Sequence, residues 1–173
     1  MKLKKIFIFL ITLTFLIGCG KKELTDSEKF KQEYEKYNDT NIELEIDEDN
    51  IITYSNKEEI NKLIKEGTGI VFIGSPKDNL SRTAINILLQ ASTTTDIDKI
   101  YYLNTLEGIT GIDEIENQEL PIVLNILEGK IISYHQGTIN QKEYLTEDEE
   151  LDLYNIYTTG IHEVLQDACD ERC

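Results

Sequence analysis

The chain has 173 residues, with 33 Asp and Glu against 17 Lys and Arg, for a formal net charge of −16 at pH 7. Phosphate backbones and anionic headgroups repel such a surface, which argues against nucleic acid as a partner and keeps the folded part off the bilayer except at a tether. The length and the 40% hydrophobic content suit one domain with a real core.

Lys2, Lys4 and Lys5 form a basic n-region, and Ile6 to Ile17 is an apolar run of twelve residues, short of the ~20 that a spanning helix needs. It ends in Leu16-Ile17-Gly18-Cys19, which resembles a bacterial lipobox. That resemblance implies a signal peptide over 1–18 and diacylglycerol on Cys19. An ordinary signal peptide or a short signal anchor is the alternative. Two acyl chains anchor stably where one is marginal, so the expected location is the extracytoplasmic face of the cell membrane. Residues 19–26 are expected to be the lipidated N-terminus and tether, and 27–173 the folded domain.

Thr25-x-x-Glu28 has the form of a capping box and predicts a helix start, followed by Phe30, Tyr34 and Tyr37 on one packing face. Ile42, Leu44 and Ile46 alternate with Glu43 and Glu45, the pattern of a half-buried strand. Asp47 to Asn50 is an acidic turn that lacks the glycine and distal glutamate of a calcium loop. Ile51 to Tyr54 predicts a short extended piece. Ser55-x-x-Glu58 is a second capping-box pattern, for a helix over Lys57 to Glu66 that buries Ile60, Leu63 and Ile64 and ends at Gly67.

Gly69 to Ser92 organises the rest. Ile70–Ile73 reads as a buried strand, Gly74–Lys77 as a tight turn, and Asp78 as the N-cap of a helix carrying Leu80, Ala84, Ile87, Leu88 and Ala91 at helical spacing. Lys99 to Asn104 is the next strand. Thr105 to Glu119 gives no clear pattern beyond a helical turn near Asp113–Asn117. Pro121 opens Val123–Leu127, and Glu128-Gly129 marks a hairpin into Lys130–Tyr134. Leu151, Tyr154, Tyr157, Ile161, Val164, Leu165 and Ala168 predict a closing helix from Glu147, kinked or split at Thr158-Thr159-Gly160.

The strand, the Gly74-Ser75-Pro76-Lys77 turn, Arg82 and the Pro121, Gly129, Gly137 spacing together resemble thioredoxin-like proteins. Bacterial lipoproteins of the bacteriocin-transport-accessory kind are a particular case of that resemblance, which runs over roughly Phe30 to Gly137. It implies an α/β thioredoxin-like fold: a central mixed sheet of four to five strands flanked by helices, with an extra C-terminal helix. It also implies a cis Leu120–Pro121 peptide and a groove for extended substrate beside Pro76, Leu120 and Pro121. The two positions that carry the family's cysteine pair are Asp78 and Ser81 here. Disulfide exchange needs one thiolate to attack and a second thiol to resolve, so no thioredoxin-type catalysis is expected at these positions. Asp78 reads as a cap, and Ser81 has no evident histidine base.

Cys169 and Cys173 remain as an even pair. A structural disulfide ranks first, free thiols second, and a metal site with His162 third, because C-x-x-x-C with one histidine is a weak signal. Asp167, Asp170 and Glu171 disfavour a thiolate there. His135 and His162 read as ordinary structural or surface residues. The resulting expectation is a membrane-anchored, redox-inactive module without cofactor or metal, binding a peptide or protein outside the cytoplasm. The alternative is an atypical thiol oxidoreductase that uses Cys169 and Cys173.

Overall fold

The computed structural model describes residues 23–105, 109–136 and 144–170, with 166–170 described by backbone alone. The expectations for Cys19, Gly137 and the Cys169/Cys173 pair, and the signal segment 1–18, lie outside the described residues.

Five strands, β1 (Ile52–Tyr54), β2 (Gly69–Gly74), β3 (Ile100–Asn104), β4 (Ile122–Leu127) and β5 (Lys130–Gln136), form one sheet in the order β1-β3-β2-β4-β5. β1, β3 and β2 run parallel, and β4 and β5 are antiparallel to their neighbours. Four helices accompany them among the described residues: α1 (Asp26–Glu35), α2 (Lys57–Glu66), α3 (Asn79–Thr93) and α4 (Glu147–Asp170).

Side-chain alternation along β2 separates two cores. Ile70 and Phe72 join a cluster with Phe30 and Tyr34 of α1, Ala84, Ile85 and Leu88 of α3, and Tyr157 and Ile161 of α4. Val71 and Ile73 join Ile60 and Ile64 of α2, Leu124 of β4, and Ile109, Ile112 and Ile115. Both faces of the central strands are therefore covered, which is why β2 reads as an unbroken apolar run rather than an alternating one. Tyr102 of β3 is the centre of an aromatic group, edge-on to Phe30, Tyr34 and Tyr54 and stacked with Phe72.

Several local expectations need correction. The Ile42–Ile46 stretch buries Ile42, Leu44 and Ile46 and exposes Glu43 and Glu45, yet it joins no sheet. Polar side chains from α1 and the following turn take the place of a ladder. The Leu44 N–H donates to Asn38 Oδ1 (3.0 Å) and the Ile46 N–H to Glu35 Oε1 (3.0 Å). Asn38 Nδ2 donates to the Leu44 carbonyl (2.9 Å), and Lys31 Nζ to that of Ile46.

The second capping box is shifted by one residue. Asn56 caps α2 with Glu59 as its reciprocal partner, because the Ser55 N–H is held by the Tyr102 carbonyl at 2.8 Å. Leu63 is only half-buried, while Ile60 and Ile64 carry the buried face. The helix α4 passes through Thr158-Thr159-Gly160 without a break. Gly160 is needed for approach: a Cβ there would lie 2.0 Å from Asn125 Nδ2 on β4. The buried stripe of α4 is Leu153, Tyr157, Ile161 and Val164, while Leu151 is exposed. Residues 109–118 form successive turns closed by N–H groups of Ile112, Ile115 and Gln118 onto carbonyls three residues earlier.

The Glu128-Gly129 hairpin has φ values of 46° and 73°, the left-handed pair that a two-residue hairpin turn requires. Its tip is pinned to the α2–β2 connection by Gly129 N–H to the Gly67 carbonyl (2.7 Å) and Glu128 N–H to Thr68 Oγ1 (2.9 Å).

Candidate functional site

The C-terminal end of β2 delivers the chain into the Gly74–Lys77 turn, and α3 departs from Asp78. The Asp78 carboxylate accepts the Ser81 N–H at 2.7 Å, an N-cap bond to one of the orphan donors of the first turn. Ser81 is fully buried, and its Oγ accepts the Ser75 N–H at 3.1 Å. Gly74 packs directly against that hydroxyl: a Cβ there would sit 2.8 Å from Ser81 Oγ. The Gly74 carbonyl accepts from the Thr105 N–H (3.1 Å) and from the Tyr102 hydroxyl (3.4 Å). Asp78 and Ser81 are thus both engaged in holding the turn and the helix start.

Arg82, the next residue, is buried at 3% exposure. Its guanidinium donates to the Tyr37 carbonyl, to Asp39 Oδ2 (2.7 Å) and to Asn79 Oδ1 (2.9 Å). This clamp ties the end of α1 to the start of α3. The ion pair, with the Asn41 and Ile42 N–H groups that also donate to Asp39, holds the Asp39 carboxyl down at about 2. Tyr37, expected to pack on the sheet, instead lies past the end of α1 and is half-exposed. Its chain spacing placed it on the Phe30–Tyr34 face, but the helix ends before that spacing applies.

Leu120–Pro121 is a cis peptide. β4 begins at Ile122 opposite Ile73, so the same register carried one residue further brings Pro121 opposite Gly74. The turn and the proline are therefore neighbours across the sheet. Ser75, Pro76 and Pro121 are buried and Leu120 is half-buried. Beside the turn lies a depression of about 290 Å³, walled by Glu33, Lys36, Tyr37, Pro76, Lys77 and Asn104. Glu33 of α1, with Lys36 and Tyr37 just past its end, supplies one side of it, a contribution that the helical spacing of the apolar residues does not reveal.

The chemistry available here is limited. Burial pushes the Tyr34 phenol well up, with Tyr102 and Asp78 adding to it, and burial likewise raises Tyr102. Both stay neutral at physiological pH. His135 is on β5, half-buried beside Glu163, and burial lowers its pKa; His162 is exposed on α4. No hydrogen bond joins either histidine to Ser81 among the described residues. No cluster of three or more His, Cys, Asp or Glu able to hold a metal occurs among the described residues.

Three parallel strands with an antiparallel pair, in the order β1-β3-β2-β4-β5, with a strand–turn–helix facing a cis-proline, define a thioredoxin-like fold. The strand order and the site position carry that assignment. Among solved structures the chain is similar to a thioredoxin from Aeropyrum pernix, at 18% identity and a TM-score of 0.36, over 49% of this chain and 73% of that one. No family model and no curated protein sequence matches it. No described helix is long and apolar enough to cross a membrane.

Proposed function

We propose that this chain is a lipid-anchored, extracytoplasmic thioredoxin-fold module that does not exchange disulfides at Asp78 and Ser81 and instead holds a peptide or protein partner. Cys19 is the anchor and Pro121, Leu120 and Pro76 mark the binding end. The observation that carries this reading is the use made of the two replaced positions. One is a helix cap and the other a buried hydroxyl bonded to the Ser75 N–H. The turn is thereby kept in shape without sulfur. The resemblance to bacteriocin-transport-accessory lipoproteins supports an accessory role in moving or sequestering a peptide.

Two measurements test it. Purified protein should show no insulin reductase turnover with dithiothreitol, and turnover abolished by Cys169→Ser would move the function to the C-terminal pair. A photo-crosslinking residue at Leu120, used in native membranes, should capture a partner that is lost when Pro121 is replaced by alanine. Failure to capture any partner there would remove the binding role.

A further inference from the structure

A second surface, away from the Asp78 turn, has the form of a strand-addition site. The Ile42–Ile46 stretch is extended but has only one hydrogen-bonding edge in use. Leu44 and Ile46 turn their backbone groups to Asn38, Glu35 and Lys31. In an extended chain successive residues present their N–H and C=O groups to opposite sides. Glu43 and Glu45 therefore present theirs away from α1, and neither residue's backbone has a protein partner among the described residues.

That open edge borders a groove of about 490 Å³ between this stretch and the C-terminal half of α3. Ile51, Leu89 and Ile97 give it a half-buried apolar floor. Glu43, Glu45, Asp47 and Asp49 stand on its rim, and no lysine or arginine lines it. The two features are independent, since rim charge does not require an unpaired backbone edge, nor the reverse.

We propose that this groove binds an extended, basic peptide segment that adds as a strand to the Glu43–Glu45 edge. Backbone bonds to an exposed edge give affinity, and alternate side-chain positions give specificity. With a two-residue period, one set of ligand side chains meets the apolar floor and the other meets the rim carboxylates. The matching ligand alternates Val, Leu or Ile with Lys or Arg. A second copy of this chain, at net charge −16, is a poor occupant by charge. The site is separate from the Pro121 end, so its fate does not depend on the partner proposed there.

The test uses the full chain in a non-ionic detergent and a fluorescein-labelled octapeptide alternating lysine and valine, read by anisotropy. Glu43→Lys with Glu45→Lys, both exposed positions, should weaken binding at least about tenfold. The same octapeptide N-methylated on alternate residues, with charge and side chains intact, should lose a similar factor. Asp78→Ala should leave binding unchanged. Equal binding of the N-methylated peptide would overturn strand addition. Equal binding of a lysine–serine octapeptide would show charge attraction alone and would also overturn the proposal, as would a Glu43/Glu45 variant that binds like the parent. Unfolding midpoints of the variants separate lost folding from lost binding.

Discussion

Gly160→Ala is the substitution whose sign best tests the packing of α4. In an exposed helix interior it would stabilise, since alanine is the better helix former by ~1 kcal/mol. Here the new methyl would lie 2.0 Å from Asn125 Nδ2 and 2.9 Å from Asn125 Cγ. Asn125 is 1% exposed and donates to Ser133 Oγ at 2.9 Å, so moving its amide away from the methyl breaks that bond. Overpacking of this kind costs ~1–3 kcal/mol, and the broken hydrogen bond adds ~1 kcal/mol. Less the propensity gain, a net loss of ~1–3 kcal/mol follows. Urea unfolding followed by circular dichroism should show the midpoint falling at constant slope. Asn125→Ala combined with Gly160→Ala should cost less than the sum of the single changes, because the truncated side chain leaves room for the methyl. A Gly160→Ala protein more stable than the parent would refute the close approach of α4 to β4.

Four further outcomes are expected. Gly129→Ala should destabilise by at least ~1–2 kcal/mol, the cost of a left-handed conformation for a residue with a Cβ, since its φ is 73° and the new methyl would also meet the Lys65 carbonyl at 2.2 Å; a thermal melt reads it. Asp39 is depressed from 3.8 to about 2 in the fold, so its contribution is complete above about 4 and is lost as the pH falls towards 2. Asp39→Asn should flatten the acid side of the stability–pH profile in that window, and an unchanged profile would remove the Arg82 clamp as its source. Asp78→Ala should cost ~1 kcal/mol as a lost N-cap, whereas Asp78→Cys with Ser81→Cys should form a disulfide under mild oxidant, measurable by thiol titration.

Much of this architecture can be read directly from the residues. The unbroken apolar run of β2, the cap at Asp78, and the Pro121-to-Gly129 interval all encode local geometry, and local geometry is what short-range pattern expresses. Where reading and structure part, a distant neighbour decides. Ser55 and Asn56 both fit a capping box, and only the Tyr102 carbonyl on another strand selects Asn56. Ile42–Ile46 alternates like a strand, but whether it finds a ladder depends on which groups lie beside it, and those are side chains of α1 and the turn after it. Gly160 looks like a breaker until Asn125 is placed against it. Leu151 and Leu153 are equally apolar, and the phase of α4 follows from its docking on α3 and β4. At the site, the cap at Asp78 is legible from the sequence, while the walls supplied by Glu33, Lys36 and Tyr37 emerge only once α1 is docked.

The position of Tyr102 has a consequence for how the chain is made. Its ring contacts Phe30 and Tyr34 of α1, yet β3 is synthesised long after that helix has left the ribosome. Until it arrives, two aromatic rings of a nascent N-terminal segment have no native partner on this strand. Late-closing contacts of this type slow folding and leave sticky surface exposed in the interval. Before that, Phe30 and Tyr34 have each other and the earlier β1 and β2 residues of the same cluster, so the arrival of β3 completes the packing of α1 and does not begin it.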